Sequence, residues 1–284
     1  MVVSQKSTPT VSSLVSPEAQ LPLLGWMLLL ACSCGCSISE KFQQRLEVTA
    51  TVSAARTAPE GKMTTGSGVT ASQVHLEQQD LSESSLSAGM RIQLDHGPLR
   101  FLVDSIGATS ASTGFFSGAI VGADLPADIY GSEVELSSAR LLMAFPLSAS
   151  ARGEEGTLDA RLLAGLDLTG IRLQFKSTTL NPSKFAEFDE LAPAPVLGIQ
   201  SSIKIAPSWD LEGIFTFLPL SKITDYDAKC IDGSIRLGWD PDPDWNLFAG
   251  VRSHNIELSR VADGRPIDLD FSIEVIELGV EYQF

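Results

Sequence analysis

The chain has 284 residues, of which 44% are hydrophobic, 7% aromatic and 23 glycine, enough for one β domain of barrel size with no second domain required. Its formal net charge of -15 argues against nucleic acid as a partner, because binding by charge needs clustered Lys and Arg and no such cluster occurs. Beyond residue 40 no stretch stays apolar and uncharged for about 18 residues, so a membrane could be crossed there only by strands.

Leu21 to Ser37 has the apolar core LPLLGWMLLLA followed by the small residues CSCGCS. This predicts a secretory leader over residues 1–36 and a single exported domain over 37–284, with an N-terminal anchor as the rival. The leucines before Ala31-Cys32 loosely resemble a lipoprotein cleavage box, which leaves lipidation of Cys32, Cys34 or Cys36 open. The CxCxC run has no fourth ligand nearby, so no metal is expected there. Cys230 then remains alone in the exported chain.

A polar lead-in precedes the first predicted strand, in which Leu46, Val48, Ala50, Val52 and Ala54 alternate with polar residues. Residues 56–85 show no sustained period and predict a long loop. The second strand sets Leu86, Ala88, Met90, Ile92 and Leu94 against Arg91, Gln93 and Asp95, and His96-Gly97-Pro98 is a tight turn. The third begins with Leu99, Phe101 and Val103 and fades into a second long loop up to Asp128. The fourth places Val134 and Leu136 outward, then slips phase to Ala139, Leu141, Met143, Phe145 and Leu147.

After a short charged turn, the fifth strand runs through Leu158 to Leu168 on even positions. It then slips to Ile171, Leu173 and Phe175, opposite Arg172, Gln174 and Lys176. Ser177 to Pro193 predicts a third long loop. The sixth and seventh strands centre on Leu197 to Ile205 and Trp209 to Phe217, joined by Ala206-Pro207-Ser208. The eighth carries Ile231, Ile235, Leu237 and Trp239, and DPDPD turns it into the ninth, from Trp245 to Leu258. Asp240, Asp242 and Asp244 are best read as solvated turn charges, since the Gly and distal Glu of a calcium loop are lacking.

The last stretch, Ile267 to Phe284, alternates nearly without interruption. Phe284, Tyr282, Val280, Leu278 and Ile276 share one face. Farther up, Ile267, Leu269, Phe271, Ile273 and Val275 carry the apolar set on odd numbers, so the pattern slips at Val275-Ile276, which predicts a β-bulge. Ten strands with connections alternating between long and short, and with Trp209, Trp239, Trp245, Tyr282 and Phe284 gathered at one rim as an aromatic girdle, predict a closed antiparallel transmembrane β-barrel; eight strands is the alternative. Only a closed barrel satisfies all backbone groups in lipid.

The inward face is then expected to carry Glu47, Arg91, Asp104, Glu135, Arg140, Asp159, Arg161, Asp167, Arg172, Lys204, Asp210, Glu212, Arg236, Arg252, Asp270 and Glu281. This mixed-sign set suits ion pairs across the lumen. A soluble barrel or sandwich is the alternative fold, but it accounts for neither the aromatic ending nor the charged partner faces.

The amphipathic final strand, with Tyr282 and Phe284 at the third-last and last positions, resembles the closing strand of bacterial outer-membrane β-barrels, and the chain from about residue 44 resembles OmpA-type and opacity-type barrels. The resemblance implies outer-membrane localisation, the lipid bilayer as surroundings, and recognition of Leu278, Val280, Tyr282 and Phe284 by the barrel-assembly machinery. It implies a structural or surface-interaction role, with a ligand at the long loops, no cofactor and no catalysis. A narrow channel for ions or small solutes is the alternative. A barrel enzyme acting on lipid A or surface peptides is the third: RSHNIELS around His254 loosely resembles the lipid A deacylase motif, but Ile256 stands where that motif has its serine. The omptin proteases are resembled in strand number alone.

Overall fold

A computed structural model describes residues 46–66, 72–120, 123–147, 158–179, 184–219, 222–223, 226–242, 244–262 and 265–284. The proposed leader, including Cys32, Cys34 and Cys36, lies outside the described residues. Twelve strands follow one another: β1 (Leu46–Thr65), β2 (Ser72–His75), β3 (Ser85–His96), β4 (Leu99–Ile120), β5 (Ala123–Pro146), β6 (Leu158–Ser177), β7 (Phe185–Ala206), β8 (Trp209–Phe217), β9 (Lys222–Ile223), β10 (Tyr226–Asp242), β11 (Trp245–Ala262) and β12 (Arg265–Gln283).

All belong to one sheet, and it closes on itself. β12 pairs with β1 at one end of the strand order, while β11 pairs with both β10 and β12. The two-residue β9 pairs only with β10, beyond the end of the β8–β10 ladder, and β2 pairs only with β1. The continuous circuit therefore has ten strands, β1-β3-β4-β5-β6-β7-β8-β10-β11-β12; among the described residues its β7–β8 seam runs from the near rim up to the Leu197–Phe217 pair, and above that β7 pairs with β6 alone. Tight turns join β3 to β4 and β7 to β8 at the end where Phe284 also docks, its amide donating to the Val48 carbonyl at 2.9 Å. Gly97, with φ of +61°, supplies the left-handed residue of the first of these turns. We call this end the near rim and the opposite one the far end.

The strands outrun the expected ones at the far end. β1 continues to Thr65, β4 and β5 stay paired up to Ile120 opposite Ala123, and β7 starts at Phe185, so much of all three predicted long loops is strand. These segments are rich in Ser, Thr, Gly and Ala, which weakens a period-2 hydropathy signal without preventing ladder hydrogen bonds. At about 3.3 Å per residue and a tilt of about 40°, 22-residue β4 rises about 55 Å along the barrel axis, against about 25 Å for a membrane belt.

The predicted bulge at Val275-Ile276 is absent: β12 keeps one unbroken register with β1 from Gln283 to Ile267 and with β11 from Tyr282 to Arg265. Odd residues point inward along the whole strand. What changes at Val275 is the chemistry of the two faces. Below it, Ile276, Leu278 and Val280 point out, exposed at 64, 65 and 38%, while Glu277 points in. Above it, Ile267, Leu269, Phe271, Ile273 and Val275 are buried inside and Asp268, Asp270 and Glu274 point out.

The same inversion corrects β5 and β6. Val134 and Leu136 are buried inside rather than outward, and Glu133 and Glu135 take the outer face. Ile171, Leu173 and Phe175 point inward, so Arg172, opposite them, is outside and bonds Glu187 on β7 at 2.9 Å. On β1 the outer face turns from Val52 and Ala54 to Arg56, and on β10 from Ile231 to Lys229.

The barrel thus has two storeys. Near the rim the outer surface is an apolar belt and the interior is polar, as a lipid-facing wall requires. At the far end the outside is polar and the inside is an apolar core, as in a soluble barrel. Leu76 and Leu81, both fully buried, fold down into this core together with Val74. Gly61, with φ of +131°, accepts the Leu76 amide at 2.9 Å; a side chain there would meet the Asp270 carbonyl at 2.1 Å.

Candidate functional site: an ionic crossbar in the lumen

Asp104 on β4, Arg140 on β5 and Asp167 on β6 stand side by side in the register, all facing inward. On the opposite wall Asp232 on β10 is the direct partner of His254 on β11, and Arg252 lies one inward position nearer the rim. Because each strand is built from alternate inward residues, these six side chains converge at one level. Arg140 donates through Nε to Asp104 Oδ1 at 2.9 Å and through Nη2 to Asp104 Oδ2 at 2.6 Å, and its Nη1 crosses the lumen to Asp232 Oδ1. Arg252 Nε donates to Asp232 Oδ2 at 2.7 Å and its Nη1 to Asp104 Oδ1 at 3.3 Å.

Arg140, Asp167 and Asp232 are fully buried and the rest of the cluster nearly so. Burying five charges is costly unless each is paired and hydrogen-bonded, and the bidentate fork of Arg140 meets that demand. Asp167 is the exception. Its carboxylate accepts from the hydroxyls of Ser138 at 3.3 Å and Thr169 at 3.0 Å but meets no guanidinium among the described residues; His254 Nδ1 lies 3.8 Å away. His254 is held at both ring nitrogens, with Nδ1 3.2 Å from Asp232 Oδ2 and Nε2 3.1 Å from Thr169 Oγ1.

Toward the rim, a second set fills the lumen. Arg91 bonds Glu212, which also accepts from Gln200 Nε2 at 2.8 Å, and Arg236 Nε donates to Glu277 at 2.7 Å while its guanidinium lies 4.5 Å from the Phe248 ring centre. Thr51 donates to Glu281 at 3.1 Å. Leu102, Leu142, Ala144, Leu163, Val196 and Ile214 form an apolar patch on the other wall. Closest to the rim, Arg161 bonds Asp159, Lys204 bonds Asp240, and Asn246 donates to Asp210 at 2.9 Å.

Of the predicted lumen residues, Arg91, Asp104, Arg140, Arg161, Lys204, Asp210, Glu212, Arg236 and Arg252 therefore face the lumen. Arg172 does not, nor do Glu135 and Asp270, the last pairing outside with Lys62 at 3.5 Å; Glu47 is exposed. Strand alternation misplaced the first three because they lie above the level at which the outer face becomes polar. The predicted inward set left out Asp232 and His254 of the crossbar, and Cys230, one inward position above Asp232 on β10. The signal was there: Asp232 and Cys230 share the inward parity of Arg236 on β10, and His254 that of Arg252 on β11.

Trp209 and Trp239 stack outside the rim with ring centres 6.4 Å apart, and Trp245, Tyr282 and Phe284 form a chain with centres 4.7 Å apart at each step. An exposed apolar belt ending in such rings is suited to the lipid–water interface and would not be stable facing water.

No protein-family model and no curated protein matches the chain. Solved structures do. The outer membrane protease OmpT from Escherichia coli is 10% identical with a TM-score of 0.50, over 84% of this chain and 97% of that one. The translocator domain of autotransporter NalP from Neisseria meningitidis is 13% identical with a TM-score of 0.41, over 97% and 100% of the two chains. Ail, the attachment invasion locus protein of Yersinia pestis, is 9% identical with a TM-score of 0.32, over 84% and 99%. At such identity the likeness to OmpT concerns fold alone. Fold and belt together define the class: an integral outer-membrane β-barrel, embedded in the bilayer through its near half.

Proposed function

We propose that this barrel is a closed, non-catalytic surface protein whose belt anchors a rigid far-end barrel outside the cell, with both ends of the barrel domain on the periplasmic side. The observation that carries this reading is the lumen: an ionic crossbar tied through Arg140 and Asp232, with an apolar core stacked above it. Ten strands enclose a space only slightly wider than the eight-stranded barrels that side chains just fill. Here long paired side chains and a folded-in segment occupy it. The far end, with its polar exterior and the Leu76–Leu81 segment beneath it, is the part that would meet a surface ligand.

The channel reading has one point in its favour, since Arg91 Nε, Gln200 Oε1 and Arg236 Nη1 are buried without partners and invite water into the lower lumen. That water ends at the crossbar. In planar bilayers the protein should give no steady conductance; a large, stable, ion-selective current would overturn the proposal and favour the channel. Catalysis at the surface is disfavoured because His254 lies only 1% exposed under the apolar core. Assembly would use Leu278, Val280 and Tyr282 on the even face of β12, together with Phe284, whose ring lies 4.7 Å from that of Tyr282.

A further inference from the structure

We infer that Asp167, Cys230 and His254 form a binding site for one divalent transition-metal ion of the zinc type. A carboxylate oxygen, a sulfur and an imidazole nitrogen from these three buried residues lie within 4.8 Å of one another. Zinc bonds of about 2.0–2.3 Å place the ligand atoms of a tetrahedral site about 3.3–3.8 Å apart. The Asp167–His254 separation of 3.8 Å already meets that, and small side-chain rotations of Cys230 would close the other two. A thiolate, an imidazole and a carboxylate together prefer zinc-type ions to magnesium or calcium.

The charge count makes the case independent of distance. The crossbar holds three carboxylates, Asp104, Asp167 and Asp232, against two guanidiniums, Arg140 and Arg252; Arg91, beside Asp104 in the register, is paired with Glu212 and leaves that count unchanged. It is one positive charge short, and the shortfall sits at Asp167, the carboxylate with only hydroxyl donors and His254 beside it. A divalent ion brings two positive charges, and binding it removes one proton from the Cys230 thiol, which leaves as H⁺ by way of the lumen. The net gain is one positive charge, which is the amount missing.

The surroundings are those of a supported metal ligand. His254 Nε2 contacts Thr169 Oγ1 at 3.1 Å, which turns Nδ1 toward the two carboxylates, 3.2 Å from Asp232 Oδ2 and 3.8 Å from Asp167 Oδ2, and Thr169 also donates to the Asp167 carboxylate. A proton on His254 would supply the same single charge, and it is the competing occupant, because a protonated Nδ1 cannot bind metal.

Cobalt(II), which takes zinc sites and reports sulfur ligation by a thiolate-to-metal charge-transfer band, decides between them. The full chain is refolded from urea into detergent with cobalt present, so that burial does not bar entry, then freed of excess metal. The expected result is one cobalt per chain with the charge-transfer band. Cys230→Ser should lose that band while keeping the heat-modifiable migration of a folded barrel, and Thr169→Val should weaken binding by roughly 10–100-fold. A folded wild-type barrel that holds no cobalt, or holds it without the sulfur band, would overturn the proposal and leave imidazolium as the occupant. Equal binding by folded Cys230→Ser would do so as well.

Discussion

The two-storey reading of β12 can be tested with one substitution moved along one face. Even positions from Ile276 to Phe284 form the apolar run; at about 3.3 Å per residue and a tilt of about 40° it spans about 20 Å of the membrane normal, with Val280 at its centre. Val280 pairs with Val52 and Leu247, both outward, so Val280→Arg puts a guanidinium at mid-bilayer and should cost about 2–4 kcal/mol. Ile276→Arg, about 10 Å higher, sits at the interface and should cost about 0–1 kcal/mol. Asp268→Arg is on the same face about 30 Å above Val280, exposed, and should be neutral within about 0.5 kcal/mol. Equilibrium urea unfolding in phospholipid vesicles, followed by tryptophan fluorescence, measures all three. A flat profile, or a cost at Asp268 as large as at Val280, would refute the placement of the belt.

Other consequences follow from the same geometry. Phe271, 2% exposed in the far-end core, should lose about 3–5 kcal/mol on Phe271→Ala, read by the same unfolding assay with membrane insertion intact. Arg140→Met strips Asp104 and Asp232 of one of the two guanidiniums they share, leaving only Arg252, and should destabilise the barrel by about 3–5 kcal/mol; adding Asp104→Asn and Asp232→Asn should recover part of that, which a triple-variant unfolding curve would show. Deleting Phe284 removes the amide that docks on Val48 without touching the crossbar. Detergent refolding should survive, whereas recovery of the protein in the outer-membrane fraction of cells should fall; unchanged recovery would count against a role in assembly.

How much of this was legible in the sequence depends on which solvent a segment faces. The belt was legible because lipid tolerates little but apolar residues, so Leu278, Val280 and Tyr282 alternate cleanly with Glu277, Gly279 and Glu281. Strand number, the tight turns and the aromatic cluster followed from that clean signal. The far-end strands were not, because water outside and a core built partly from Ala, Gly and Ser inside leave only weak contrast, as in Ala108 to Gly114 of β4. The crossbar was legible as a set of inward charges. Its pairing was not, since Arg140 meets Asp232 across the lumen, 92 positions away in the chain, and nothing in a strand's own pattern reveals which wall faces it.

The phase slips carry more information than a bulge would. A bulge shifts the backbone and leaves the solvents alone; here the backbone keeps its register and the solvent changes. At Val275-Ile276 on β12, at Ser137-Ala139 on β5 and at Leu168-Arg172 on β6, the outer face passes from lipid-suited to water-suited residues while the inner face passes from polar to apolar. On β5 and β6 these positions are ladder partners, Ala139 pairing with Leu168 and Ser137 with Gly170, and on β12 Val275 pairs with Arg252, so each slip sits beside a crossbar residue rather than being a scattered defect. These slips lie at the level of the crossbar, where Arg140 and Asp167 flank them from inside. The buried charges thus stand where the interior changes from polar to apolar, and their pairing closes the lumen at the height where the membrane ends.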